Sequence, residues 1–220
     1  MPEIIINGPE GRIEAKYFQS KNQNAPLALI LHPEPNKGGT MNNSVVFSLY
    51  KEFIDRNFST LRFNFRGVGK SQGKYDHGEG ELADAATAMD WIQIQNPNAS
   101  HCWVAGFSFG SWIGMQLMMR RPEIKGFISL SAPTTSKDFS FLAPCPSSGI
   151  FIHGDKDEEL PYKTLPKILE KISIQKGAKI KEKVINNSDR FFSSHHKEMI
   201  NAVKEYLDYS FDEKGNLNFK

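Results

Sequence analysis

The sequence predicts a single α/β domain in which a mostly parallel, twisted sheet has helices on both faces. Segments with strand patterns alternate with segments of helical spacing almost from one end of the chain to the other. Such alternation is typical of right-handed βαβ units, whose helices cross over the sheet between parallel strands. A chain of 220 residues is also the size of one domain.

The apolar patterns of the strand segments predict how deeply each strand is buried. Residues 27–31 are continuously apolar, as in a strand buried on both faces. Residues 4–6 and 12–18 flank a Gly-Pro-Glu-Gly turn and predict an antiparallel hairpin. The predicted strands are 4–6, 12–18, 27–31, 60–65, 102–107, 125–130, 150–153 and 179–185.

The helical segments carry apolar residues three and four positions apart. In residues 81–95, for example, Leu82, Met89 and Ile92 belong to one broad apolar stripe, and Pro97 follows as a stop signal. The predicted helices are 45–57, 81–95, 109–120, 165–174 and 194–207. We expect one domain over residues 1–209 and a polar, frayed tail at 210–220.

Composition narrows the class of protein. A net charge of +2 predicts no nucleic-acid partner, and 39% apolar residues are ordinary for a globular domain. The sequence contains neither a signal-peptide pattern nor an apolar run of the roughly 18 residues that a membrane span needs. Cys102 and Cys145 form no disulfide pattern, which favours a reducing compartment. We therefore expect a cytoplasmic protein, and the chemical motifs of the chain predict a small-molecule substrate as its partner.

The segment Gly106-Phe107-Ser108-Phe109-Gly110 carries the sharpest chemical signal. It follows a predicted strand and begins a predicted helix, which is the context of the G-x-S-x-G nucleophile elbow. A serine on such a tight turn exposes its hydroxyl, and the flanking glycines allow the strand and the helix to pack closely. The sequence therefore predicts Ser108 as a nucleophile.

Two backbone N–H groups are candidates for binding an oxyanion. Phe109 provides the N–H directly after the nucleophile, at the start of a helix. The second donor is expected in the loop after residues 27–31, which begins His32-Pro33-Glu34-Pro35. Since proline has no N–H, Glu34 is the natural donor, and the His32 side chain is more simply explained as structural.

Two aspartates follow the predicted strand at 150–153. An acid that comes after the nucleophile, at the carboxyl end of a strand, fits the chain order Ser, Asp, His. Asp157 is preferred over Asp155 because of its Gly-x-x-Asp spacing from Gly154 and the Leu-Pro that follows. A solvated acidic turn is the alternative.

A phosphate-binding loop at residues 64–71 is disfavoured. The pattern G-x-x-x-x-G-K-[ST] requires glycine at position 64, where this chain has Asn64. A tight turn is the better interpretation. The sequence also contains no H-E-x-x-H or paired C-x-x-C pattern, so we predict neither a metal site nor a cofactor.

Several motifs together resemble a small group of capless bacterial serine hydrolases with the α/β-hydrolase fold. The motifs are Leu-His-Pro-Glu-Pro at 31–35, Gly-Gly-Thr-Met-Asn-Asn at 38–43, Arg-Phe-Asn-Phe-Arg-Gly-Val-Gly-Lys-Ser-Gln-Gly at 62–73, and the elbow at 106–110. The group is related to dienelactone hydrolases and to the catalytic domains of prolyl oligopeptidase-like enzymes. The resemblance implies Ser-His-Asp hydrolysis of a small ester, thioester or amide, but does not identify the substrate.

One residue departs from that group. The group carries its catalytic histidine in a segment similar to Asp-His-Phe-Phe, and this chain has Arg190 at the position of the histidine. A guanidinium has no acceptor, so Arg190 cannot take a proton from Ser108. His195 or His196 is the candidate replacement for the base, although both are also expected as exposed residues at the start of a helix. The alternative function is a catalytically inactive hydrolase fold that binds a ligand or a partner.

The absence of a cap domain predicts an open and shallow ligand pocket. The short stretch at residues 132–147 is rich in proline, serine and phenylalanine and is too short to form a cap. Phe107, Phe109, Trp112 and residues 139–142 are the expected lining. The sequence leaves the oligomeric state open.

Overall fold

A computed structural model describes residues 3–158, 165–172, 178–212 and 217–218, and the strands among them form one eight-stranded sheet. These strands are β1 (Glu3–Gly8), β2 (Gly11–Phe18), β3 (Leu27–Leu31), β4 (Ser59–Phe63), β5 (Cys102–Phe107), β6 (Ile124–Leu130), β7 (Ser148–Gly154) and β8 (Ile180–Ile185). They lie side by side in the order β1-β2-β4-β3-β5-β6-β7-β8.

Strand direction follows the predicted pattern. The β1-β2 hairpin is antiparallel and pairs Glu3 with Lys16, and β2 pairs antiparallel with β4. The remaining neighbours, from β4 through β3 to β8, pair parallel. The prediction of a mostly parallel sheet is confirmed. Its carboxyl edge, where β3, β5 and β7 end together, positions the candidate site.

Helices cover both faces of the sheet and create two apolar cores. The helices of the described chain are α1 (Ser44–Asp55), α2 (Glu79–Gln95), α3 (Phe109–Arg120), α4 (Leu165–Ile172) and α5 (His196–Ser210). Helices α1 and α5 pack on one face, where Trp103 is fully buried. Helices α2, α3 and α4 pack on the other face, where Phe127 is fully buried. None of these helices is both long and apolar enough to span a bilayer.

Strand β4 ends two residues earlier than predicted. The Asn64 side chain accepts a hydrogen bond from the Met41 N–H at 2.8 Å and donates to the Glu14 carboxylate at 2.8 Å. These contacts hold Asn64 in the loop that follows the strand. The predicted helix at 165–174 is present as far as Ile172, and residues 173 and 174 lie outside the described part of the chain.

In the predicted tail at 210–220, Phe211 and Leu217 are partly buried and pack against the domain. Phe211 forms an antiparallel bridge with Leu217, and its ring lies 5.6 Å from that of Trp103. The Asn218 N–H also donates to Ser210 O at 2.9 Å. Phe211 gives this polar segment an apolar anchor.

Candidate active site

Ser108 lies on the turn between β5 and α3, with the backbone of a nucleophile elbow. Its φ of 55° and ψ of −121° are a conformation that L-residues rarely adopt. Strain of this kind costs on the order of 1–3 kcal/mol and persists only where surrounding contacts impose it. One such contact is the hydrogen bond from the Ser108 N–H to Leu130 O, at 2.8 Å. The turn is therefore held on one side by β6.

The two glycines of the elbow are required by close approach. A Cβ on Gly110 would lie 2.4 Å from Leu31 O and 2.5 Å from His32 O. A Cβ on Gly106 would lie 2.4 Å from the carbonyl carbon and oxygen of Gly110. The first turn of α3 therefore rests directly against the end of β3, and this contact brings the loop after β3 to the nucleophile.

Two backbone N–H groups follow this contact closely in the sequence. Phe109 is the first residue of α3, and Glu34 follows the end of β3 by three positions. Within the described residues, neither N–H has a hydrogen-bond acceptor. The Glu34 carboxylate accepts from Tyr75 Oη at 2.8 Å and lies 3.4 Å from Lys37 Nζ. These contacts fix the side chain and orient the loop, while the N–H remains available.

His32 has a structural role, as its sequence context suggests. The ring is fully buried, its Nε2 accepts from the Phe65 N–H at 2.9 Å, and its Nδ1 lies 2.6 Å from Pro33 O. Burial lowers the pKa of His32 to about 4, so the ring stays neutral at neutral pH. The neutral ring links the loops that follow β3 and β4.

Asp157 is the buried carboxylate at the end of β7. Its side chain is completely shielded from solvent, and its N–H donates to Gly154 O at 3.2 Å. Asp155 is less buried and lies nearer to β8, since its N–H donates to Ile185 O. Of the two aspartates, Asp157 is the one that lies beside Arg190, the residue that contacts Ser108.

That opposing residue is Arg190. Its Nη2 donates a hydrogen bond to Ser108 Oγ, and its Nη1 lies 4.0 Å from Asp157 Oδ1. The guanidinium is thus placed between the hydroxyl and the carboxylate, where a triad would place an imidazole. The exposed fraction of its side chain is only 13%. A guanidinium has no acceptor, so the partner that the described residues give to the Ser108 hydroxyl is a donor and cannot take its proton.

The loop that carries Arg190 is fixed at several points. Ser131 Oγ donates to Arg190 O at 2.9 Å, and Asp189 Oδ1 accepts from the Ser193 N–H at 2.9 Å. The bonds with Ser193 hold the pKa of Asp189 below its usual value. Phe192 has a φ of 54° and is fully buried, so its ring anchors the loop in the core. The position of Arg190 is therefore imposed by the fold.

The two histidines proposed as replacement bases lie at the start of α5. His195 is the residue before the helix, and its carbonyl accepts from the Met199 N–H at 3.0 Å. His196 Nε2 lies 3.2 Å from Ser48 Oγ of α1. In the part of the chain described, neither ring is hydrogen-bonded to Ser108 or Asp157. The structure does not bring either ring to the nucleophile.

Most of the side chains expected to line the pocket belong to the core instead. Phe107, Phe109 and Leu142 are at most 1% exposed, and Phe139 is only 3% exposed. These four side chains are apolar because they pack in the core beneath the site. Trp112 is partly exposed, and Lys137 Nζ lies 4.6 Å above the centre of its ring.

Two residues that position the others carry little signal in the sequence. Tyr75 holds the Glu34 side chain, and Ser131 holds the Arg190 carbonyl. Tyr75 lies in a loop without periodicity, so nothing in its neighbourhood pointed to the site. Ser131 could have been considered, because it directly follows β6 at the carboxyl edge of the sheet, where ligands bind in parallel α/β folds.

The disfavoured phosphate loop is a tight turn with its own hydrogen bonds. The Lys70 N–H donates to the Glu14 carboxylate at 2.8 Å, and Ser71 Oγ donates to Asn64 O at 2.7 Å. The Lys70 ammonium pairs with Glu3. The described residues also contain no cluster of three or more histidine, cysteine, aspartate or glutamate side chains that could hold a metal ion.

Comparisons with known proteins identify the family and the fold. A model of the Hydrolase_4 family, described as serine aminopeptidase S33, matches residues 37–202. A candidate α/β hydrolase of unknown function from Agrobacterium tumefaciens is 53% identical, with a TM-score of 0.92 over 94% of this chain and 95% of that one. An α/β serine hydrolase homologue from Coxiella burnetii is 31% identical, with a TM-score of 0.84 over 94% and 97% of the two chains.

A third solved structure is relevant to the absence of a cap. It is an α/β serine hydrolase without a lid from Xanthomonas campestris, 26% identical to this chain, with a TM-score of 0.83 over 94% and 93% of the two chains. These likenesses confirm the resemblance to capless bacterial serine hydrolases. Because the family model covers more than half of the residues, the chain belongs to the Hydrolase_4 family of α/β serine hydrolases.

Proposed function

We propose that this protein binds a small carboxylate ligand at Ser108 and hydrolyses esters only slowly. The hydrogen bond from Arg190 Nη2 to Ser108 Oγ is the observation that carries the proposal. In an active serine hydrolase, the hydroxyl is hydrogen-bonded to a histidine nitrogen that can accept its proton. Here the partner is a donor, so it cannot activate the nucleophile.

The kinetic consequence of a missing base is large. Loss of a triad base lowers the rate by about 10⁴- to 10⁶-fold, while an intact oxyanion site still supports on the order of 10³- to 10⁴-fold acceleration over water. We assign this role to the N–H groups of Glu34 and Phe109, because neither has a hydrogen-bond acceptor within the described residues. We therefore expect slow hydrolysis of activated esters and little hydrolysis of ordinary ones.

The chemistry around Ser108 favours an anion as the ligand. The two backbone N–H groups, the Ser108 hydroxyl and the Arg190 guanidinium are all hydrogen-bond donors. A carboxylate has two acceptor oxygens, of which one fits the oxyanion position and the other can meet the guanidinium. Such a ligand matches the carboxylate product of ester hydrolysis. Its negative charge would lie beside the guanidinium of Arg190, which also pairs with Asp157.

A direct test compares turnover and binding in three proteins. Hydrolysis of p-nitrophenyl acetate should be near that of Ser108→Ala for the natural chain and should rise at least about 100-fold in Arg190→His. Acetate titrated into the ¹⁵N-labelled protein should shift amides at the site in the natural chain and not in Arg190→Ala. Fast Ser108-dependent hydrolysis by the natural chain would contradict the proposal.

An active serine hydrolase with His195 as its base is the second candidate. It is favoured by the strained backbone of Ser108 and by the full burial of the Asp157 side chain, both of which suit a working triad. It requires movement of the loop that carries Arg190. If the natural chain hydrolyses esters rapidly, His195→Ala should abolish the activity, and the matched change His196→Ala should not.

A further inference from the structure

The side chain that follows Arg190 is an exposed aromatic ring beside the candidate ligand site. Phe191 is 56% exposed, whereas its neighbour Phe192 is fully buried. Exposed large apolar side chains are few among the described residues, and the others are Ile5, Phe47, Ile94 and Tyr209. Among these exposed side chains, Phe191 is the one that is adjacent in sequence to Arg190, which contacts Ser108.

Two neighbouring contacts place Phe191 close to the nucleophile. The dipeptide Phe107-Ser108 faces the dipeptide Arg190-Phe191. Arg190 is hydrogen-bonded to Ser108, and the ring of Phe191 lies against that of Phe107 with centroids 6.0 Å apart and an interplanar angle of 73°. The edge-to-face contact places the exposed ring at the rim of the same site.

The exposure of Phe191 is a consequence of how its loop is anchored. Phe192 enters the core with a φ of 54°, its N–H donates to Asp189 O at 3.2 Å, and Ser193 is bonded to the Asp189 carboxylate. With Phe192 turned inward, the adjacent side chain is directed outward. No cap domain interrupts the described chain to cover it, so one face of the ring is open to a ligand.

We infer that the ligand is a carboxylate with an apolar tail, an acyl or aryl group, which lies on Phe191 while its head group is held at Ser108 and Arg190. The inference rests on the proposed carboxylate site and specifies its ligand class. Each methylene moved fully out of water strengthens binding about fourfold. A tail that rests on one ring face should gain about half of that free energy, close to twofold per methylene.

The test is a titration of the full chain with sodium acetate, hexanoate and succinate, followed by amide chemical shifts. Hexanoate should bind at least about tenfold more tightly than acetate. Phe191→Ala should weaken the binding of hexanoate far more than that of acetate and so remove most of this difference, and Phe191→Leu should restore part of it. Ile94→Ala is the matched control, since Ile94 is 74% exposed near the end of α2, at the opposite edge of the sheet.

The outcomes separate this inference from the function on which it rests. If none of the three anions shifts the amides of Ser108 and its neighbours, the carboxylate site itself is wrong. If acetate binds as tightly as hexanoate, or Phe191→Ala weakens both equally, the site stands and the apolar tail is wrong. If succinate binds most tightly, the inference of an apolar tail is also wrong. Lys137 would then be the candidate for binding the second carboxylate.

Discussion

The guanidinium of Arg190 donates a hydrogen bond to the hydroxyl of Ser108 and lies beside the carboxylate of Asp157. The strained backbone of Ser108 and the buried carboxylate of Asp157 thus lie on either side of a side chain that only donates hydrogen bonds. The strain at Ser108 still requires support from the surrounding fold. This combination explains why we propose binding without efficient turnover.

The activity expected of Arg190→His should depend on Asp157. The new imidazole would need a buried carboxylate to orient it and to stabilise its charged form. Adding Asp157→Asn should therefore lower the kcat of Arg190→His for p-nitrophenyl acetate by about 10²- to 10⁴-fold. Adding Asp155→Asn should have little effect. Equal losses from the two changes would show that Asp157 is not the orienting acid.

Gly110→Ala should destabilise the domain, because its methyl group would collide with the carbonyl oxygens of Leu31 and His32. We expect a loss of roughly 2 to 4 kcal/mol in the free energy of unfolding, measured with urea. Gly38→Ala is the control. Gly38 has a φ of 79° and open space around it, so only the backbone cost of about 1 kcal/mol applies. Similar losses at both positions would contradict the close approach.

The buried pair of Arg66 and Asp84 should contribute strongly to stability. The Asp84 carboxylate accepts from Nε and Nη2 of Arg66 and from its backbone N–H, all within 3.0 Å. Asp84→Ala would leave a buried guanidinium without its partner and should cost about 3 to 5 kcal/mol in urea unfolding. Lys70→Ala breaks the exposed pair with Glu3 and should cause no measurable change. A small loss in Asp84→Ala would show that the pair is dispensable.

Stability should fall as the pH drops from 6.5 to 4, in part because of His153. The ring is fully buried on β7, and burial lowers its pKa from 6.5 to about 4 even though Glu182 lies 3.5 Å away. In this window the unfolded chain binds a proton that the folded chain does not, so the free energy of unfolding decreases. The loss from this one residue reaches about 3 kcal/mol at pH 4.

His153→Leu should therefore flatten the dependence of the urea midpoint on pH between 4 and 6.5. Some dependence should remain, because His32 is also buried with a pKa lowered to about 4. His77→Asn, at an exposed loop position, should leave the dependence as it is in the natural chain. Parallel curves for the natural chain and His153→Leu would rule out the contribution of His153.

The sequence by itself determined the α/β architecture, because hydrophobic periodicity reports which face of each element is buried. It located β5 and α3 at their observed bounds, and the glycine spacing around Ser108 identified the elbow. The resemblance to capless serine hydrolases also singled out Arg190, because this residue stands where that group carries its catalytic histidine.

Only the tertiary structure decided what surrounds Ser108. The apolar patterns of Phe107 and Phe109 could not distinguish a pocket wall from the core beneath it, and both proved to be core. The distance between Arg190 and Ser108, which are 82 positions apart, depends on how β5, β6 and β7 pair and on the hydrogen bond from Ser131. Local sequence specifies the form of each element, whereas contacts between distant segments arise only when the sheet assembles.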